Sequence, residues 1–122
     1  MPRVLYVEDD ALLRAVTSMA LEDAGYAVVE AHDGHQARRL LEEEGGFDFV
    51  ISDVSMPGGM SGLEVAQAAQ AARPGCRTIL VSGYATAQLP ELPAAVVYLG
   101  KPFRVQELID TLGGANPPVA NS

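Results

Sequence analysis

Four short apolar runs of this chain stop at residues able to do polar chemistry. "RVLYV" (3–7) is followed by Glu8, Asp9 and Asp10, and "FDFVIS" (47–52) by Asp53. "RTILVS" (77–82) closes on Ser82 with Gly83 next, and "AAVVYL" (94–99) leads to Lys101 and Pro102. If these ends share one edge, Glu8, Asp9 and Asp53 crowd three carboxylates together, which is unfavourable without a counter-charge. A divalent cation and Lys101 would relieve it. Hard oxygen donors with room for water suit Mg²⁺, whereas no cluster of Cys and His is present to suit zinc.

Each residue also has a plainer role. Asp10 is placed to cap a helix, where the macrodipole favours an acid. Asp53 alone could form a turn, Ser82 alone is a strand-end hydroxyl, and Lys101 alone is a solvated lysine. His32 and His35 read as solvent-facing loop histidines. The conjunction changes the weighing, because unrelated capping residues have no reason to collect at the ends of four runs.

The elements that must position these groups alternate. "RVLYV" is a short strand, and "ALLRAVTSMALEDAG" repeats apolar residues at Leu12, Val16, Met19 and Ala20 before Gly25, which predicts a helix. "YAVVEA" (26–31) is the next strand; Asp33 then caps a helix that turns Ala37, Leu40 and Leu41 inward and ends at Gly45. After "FDFVIS", Ser61 and Glu64 stand at capping-box spacing and open a helix that closes before Pro74. "RTILVS" and "AAVVYL" are strands four and five, and "RVQELIDTLGG" sets Val105, Leu108, Ile109 and Leu112 on one helical face. Between strands four and five, Pro90 and Pro93 predict a shortened or distorted fourth helix.

Strands alternating with helices imply parallel pairing through right-handed crossovers, with helices on both faces of the sheet. The continuous apolar character of "FVIS" and "TILVS" suits strands covered on both sides. In such sheets function sits at the carboxyl ends of the strands, which is where the acids, Ser82 and Lys101 fall.

Composition bounds the possibilities. A chain of 122 residues is one domain in size. Its net charge of −8 argues against nucleic acid or an anionic membrane as main partner. One cysteine, Cys76, cannot pair internally, which favours a reducing compartment. No stretch reaches the roughly 18 to 20 apolar residues of a membrane span. A cytoplasmic protein without membrane insertion is expected.

"VLYVEDD", "DFVISDVSMPGGMSGLE", "ILVSGYA" and "YLGKPF" resemble, in order and over nearly the whole chain, the signatures of the receiver domain of two-component response regulators. The resemblance implies an α/β fold, a doubly wound five-stranded parallel sheet in the flavodoxin-like order 2-1-3-4-5, over residues 1–114; "ANPPVANS" (115–122) itself reads as a flexible tail. It implies that Asp53 is the phosphoacceptor of a histidine kinase or histidine phosphotransfer protein. Asp9 and Asp53 would ligate Mg²⁺ with the backbone carbonyl of Ser55, and Glu8 would bind the ion or its water. Lys101 would pair with Asp53 and then with a phosphoryl oxygen, Ser82 would donate to that group, and Tyr98 would be the aromatic switch partner. Pro102 would follow a cis peptide. The residues suit these roles, since phosphoryl transfer asks for an in-line nucleophile with positive charge around the equatorial oxygens. Gly83 would leave room near that group, and Met56 and Pro57 would shape the loop.

Two departures stand out. The stretch from Ser82 to Lys101 is shorter than the family's pattern, which bears on its usual output face. "MPGGMSG" is one residue longer than the common loop, as in receivers of hybrid kinases or stand-alone receivers. No DNA-binding region follows, so direct action on a promoter is not expected. The leading expectation is a phosphorylatable signalling domain, not an enzyme, that assists its own modification. The alternative is a phosphorylation-independent receiver-like interaction module. An aspartate-nucleophile phosphatase usually carries a second acid two residues on, where this chain has Ser55.

Overall fold

A computed structural model describes residues 1–54, 61–82 and 96–114. Its elements in chain order are β1 (Arg3–Val7), α1 (Ala11–Asp23), β2 (Ala27–Ala31), α2 (Gly34–Glu43), β3 (Phe49–Asp53), α3 (Gly62–Ala72), β4 (Arg77–Ser82), β5 (Val96–Gly100) and α4 (Val105–Gly114). The five strands form one parallel sheet in the order β2-β1-β3-β4-β5. The expected shortened helix between strands four and five lies outside the described residues, as do Ser55, Met56, Pro57, Gly83, Pro90, Pro93 and residues 115–122.

Local chemistry accounts for the boundaries. Asp10 Oδ1 accepts from the main-chain N–H groups of Leu12 and Leu13, both at 3.0 Å, and so caps α1. Asp33 caps α2 through the N–H of Gln36 at 2.8 Å. Ser61 and Glu64 form a reciprocal capping box on α3. The chain leaves α1 through Gly25 at φ 102°, a conformation that side chains with a Cβ resist. β3 starts two residues later than the apolar run and includes Asp53 as its last residue.

The sheet is covered on both faces. On one, Val4, Tyr6, Ile51, Ile79 and Val81 pack with Leu21 of α1 and Leu108 and Leu112 of α4. On the other, Leu5, Val7 and Val50 pack with Ala37 and Leu41 of α2 and Val65 and Ala69 of α3. Every residue of β3 is buried, as a central strand with two covered faces requires. Truncating a fully buried leucine such as Leu108 costs about 2–5 kcal/mol. Cys76 is also in this core, and burial pushes its thiol up to about 11. Among the described residues no helix is long and apolar enough to cross a membrane.

One helical face differs from the expectation. Leu12, Val16 and Met19 of α1 are exposed, at 75%, 52% and 65%, while Thr17, Ser18 and Leu21 are buried. The apolar repeat of α1 is real, but it faces away from the sheet.

Candidate functional site

The site is built from the carboxyl ends of neighbouring strands. Glu8 follows β1 and its N–H donates to the Ala31 carbonyl at the end of β2, at 3.0 Å. Asp53 ends β3 beside Val81 of β4. Glu8 and Asp53 are buried and Asp9 is exposed, so a solvent-facing acid joins two enclosed ones. One oxygen from each of Glu8, Asp9 and Asp53 lies within 4.8 Å of the others.

Positive charge meets this group from β5. Lys101 Nζ lies 2.7 Å from Asp53 Oδ1, with the lysine side chain 35% exposed and the Asp53 side chain 7% exposed. The Lys101 N–H donates to the Ser82 carbonyl at 2.7 Å, which ties the lysine to the end of β4. The Lys101–Pro102 peptide is cis.

Electrostatics follow from this crowding. Burial, with the Asp53 charge adding to it, pushes Glu8 up to about 7, against the Asp10 N–H donated to its carboxylate and the charge of Lys101. Desolvation alone would lower Lys101, but its hydrogen bond and charge interaction with Asp53, then Glu8 and Asp9, hold it above the ordinary lysine value. The lysine therefore stays cationic, and the acids still outnumber it. Three hard oxygen donors beside bulk water, with an unbalanced negative charge, fit a Mg²⁺ ion.

Ser82 is buried at the end of β4, one residue past the partner of Asp53, and pairs across to Gly100. Tyr98 is half-buried, pairs with Leu80 and packs beside the cluster of Ala66, Leu80 and Val96. Both therefore belong to the α3 side of the sheet, as the alternation of β4 and β5 requires. His32 and His35 are exposed. Asp10 serves as the cap of α1.

Two residues not marked by the sequence pattern stand at the site. Arg14 Nη1 donates to the Glu8 main-chain carbonyl at 2.6 Å, and its Nε lies 3.6 Å from Glu30 Oε1. Gly62, the first residue of α3, donates its N–H to the Val54 carbonyl at 2.8 Å and abuts the end of β3. An arginine one turn after an acidic triplet, and a glycine directly after a serine cap, were the available signals.

The family model described as "Response regulator receiver domain" matches residues 4–113. The response regulator receiver protein CpdR of Brucella abortus is 33% identical over 115 residues, covering 92% of this chain and 94% of that protein. The sensor kinase CckA of the same organism is 40% identical over 113 residues, covering 89% of this chain but 12% of the kinase. Among solved structures, the response regulator TrrA of Thermotoga maritima in complex with Mg(2+)-BeF aligns with a TM-score of 0.79 and 31% identity, covering 94% of this chain and 99% of that one.

Proposed function

Because the chain belongs to the family of response regulator receiver domains, we propose that it is a phosphoacceptor in two-component signalling, with Asp53 modified by a histidine kinase or histidine phosphotransfer protein. The observation that carries this is the buried Asp53 carboxylate, with Lys101 Nζ at 2.7 Å and oxygens of Glu8 and Asp9 within 4.8 Å. An Asp53 oxygen forms a bond to phosphorus as the P–N bond of the phosphohistidine breaks. The electron pair leaves on the imidazole nitrogen, which takes a proton.

Lys101 balances the charge on Asp53 before transfer and turns to a phosphoryl oxygen after it. Ser82 donates a hydrogen bond to the phosphoryl group, and Tyr98 moves with it as the switch that a partner reads. Glu8, Asp9 and Asp53 would hold Mg²⁺, joined by the Ser55 carbonyl outside the described residues. When bound, Mg²⁺ supplies positive charge to the phosphoryl oxygens. The domain thus assists its own phosphorylation and dephosphorylation, and residues 1–114 form the working unit.

Intact mass after incubation with acetyl phosphate and Mg²⁺ tests this. The wild type is expected to gain one phosphoryl adduct, Asp53→Asn none, and Lys101→Met the adduct about a hundredfold more slowly. An adduct that survives Asp53→Asn, or none at all in the wild type, overturns the proposal and favours an interaction module that works without phosphorylation.

A further inference from the structure

The face that α1 turns to the sheet is led by an arginine. Arg14, Thr17, Ser18 and Leu21 follow at i, i+3, i+4 and i+7 and so share one side of the helix. Thr17, Ser18 and Leu21 are buried, and the Arg14 side chain is 20% exposed. Leu12, Val16 and Met19 lie on the opposite side, in solvent. Half a turn of rotation would bury that apolar stripe, so specific contacts must hold the helix as it stands.

Few candidates for that hold exist among the described residues. The hydroxyls of Tyr6 and Thr17 meet each other there, and that of Ser18 is buried without a hydrogen-bond partner among the described residues. Leu21 anchors the far end in the core. At the site end the contact is Arg14, which donates to the Glu8 carbonyl at 2.6 Å and is backed by Glu30 of β2.

Glu8 is consequently gripped at three points. Its N–H is held by the Ala31 carbonyl, its carboxylate by the Asp10 N–H at 3.1 Å, and its carbonyl by Arg14. Asp9 lies between the second and third of these tethers, so the direction of its side chain is set by peptides that Arg14 restrains. We propose that Arg14 is a positioning residue, which by holding the Glu8 carbonyl orients the Glu8–Asp9 peptide and aims the Asp9 carboxylate at the cation position shared with Glu8 and Asp53. This rests on the Mg²⁺ site proposed above.

The two effects of this arginine have opposite signs. As a cation near the site it repels Mg²⁺, so removing it for charge alone would tighten binding. As a positioning residue its removal weakens binding, because partners that orient metal ligands typically carry about tenfold or more of the affinity.

Calorimetric titration of the unphosphorylated full chain with Mg²⁺, beside its melting temperature in EDTA, separates them. Arg14→Met is expected to weaken Mg²⁺ binding about tenfold. Arg14→Lys, which keeps a charged donor of similar reach, is expected to restore most of it at a comparable melting temperature. Should Arg14→Met not fold, Arg14→Gln, whose amide stops short of the Glu8 carbonyl, replaces it with the same expected sign. Unchanged or tighter binding in the neutral variant overturns the proposal. So does equal weakening in the Lys and neutral variants that tracks a lost melting temperature, which marks a merely structural arginine. Wild-type protein that takes up no Mg²⁺ overturns the cation site itself and this proposal with it.

Discussion

Gly62 is pressed against the main chain of Asp53. A Cβ built on Gly62 would overlap the Asp53 carbonyl oxygen and stand 2.9 Å from both Asp53 C and Val54 Cα. The N-terminus of α3 is thus laid on the end of β3 at the residue proposed as the phosphoacceptor. Gly62→Ala has no flexible neighbour to push aside, so either α3 or the strand end must move. A loss of about 1–3 kcal/mol in urea denaturation is expected, with slower acetyl phosphate labelling of Asp53. A variant with wild-type midpoint and labelling rate would refute the close approach.

Stability without metal should run against the usual acid trend near neutrality. The folded-state value of Glu8, about 7, lies above its ordinary 4.5, so the folded protein binds the extra proton. Stability from this group is fully present below the ordinary value and is lost as pH rises through about 7. Asp48 and Asp33 act in the other direction. The Arg3 N–H, with Arg73, lowers Asp48, and the Gln36 N–H lowers Asp33; their contributions hold above the ordinary carboxylate range and disappear as pH falls below it. Denaturation midpoints in EDTA are expected to rise from pH 8 to about 5 and fall below about 4. Glu8→Gln should flatten the upper limb; a limb that survives in that variant would place the proton elsewhere.

The exposed stripe on α1 begins close to the acids in the chain, since Leu12 is two residues past Asp10, the cap of α1. If Asp53 is the phosphoacceptor proposed above, a protein phosphodonor would have this apolar surface to rest on, whereas a small phosphodonor would not need it. Val16→Asp is expected to keep the melting temperature and the acetyl phosphate rate while slowing transfer from a histidine phosphotransfer protein several-fold. Equal rates with the protein donor would remove α1 from the docking surface.

Strand ends and caps were legible because each rests on chemistry within a few residues. Asp10, Asp33 and the Ser61–Glu64 pair cap helices as their spacing indicates, and the polar residues at the ends of β1, β3 and β5 meet at one edge because parallel strands all end there. The rotation of α1 was not legible in that way. Its sequence offers two stripes, and the more apolar one is outside; the inward one carries Leu21 into the core and Arg14 to a carbonyl six residues back, contacts that only the folded chain makes. Gly62 escaped notice for a related reason. A glycine after a serine cap is unremarkable in one dimension, and only the fold brings the end of β3 against it.

The outward stripe of α1 also bears on how copies of this protein meet one another. Three large apolar side chains on one helix would favour self-association, yet each molecule carries a net charge of −8. Like charge of that size repels approaching molecules once they come within a Debye length, about 8 Å at physiological ionic strength, and is screened beyond it. The acid surplus that discourages nucleic acid therefore also acts as a colloidal guard over α1. A partner of opposite surface charge passes that barrier where a sister molecule is turned back.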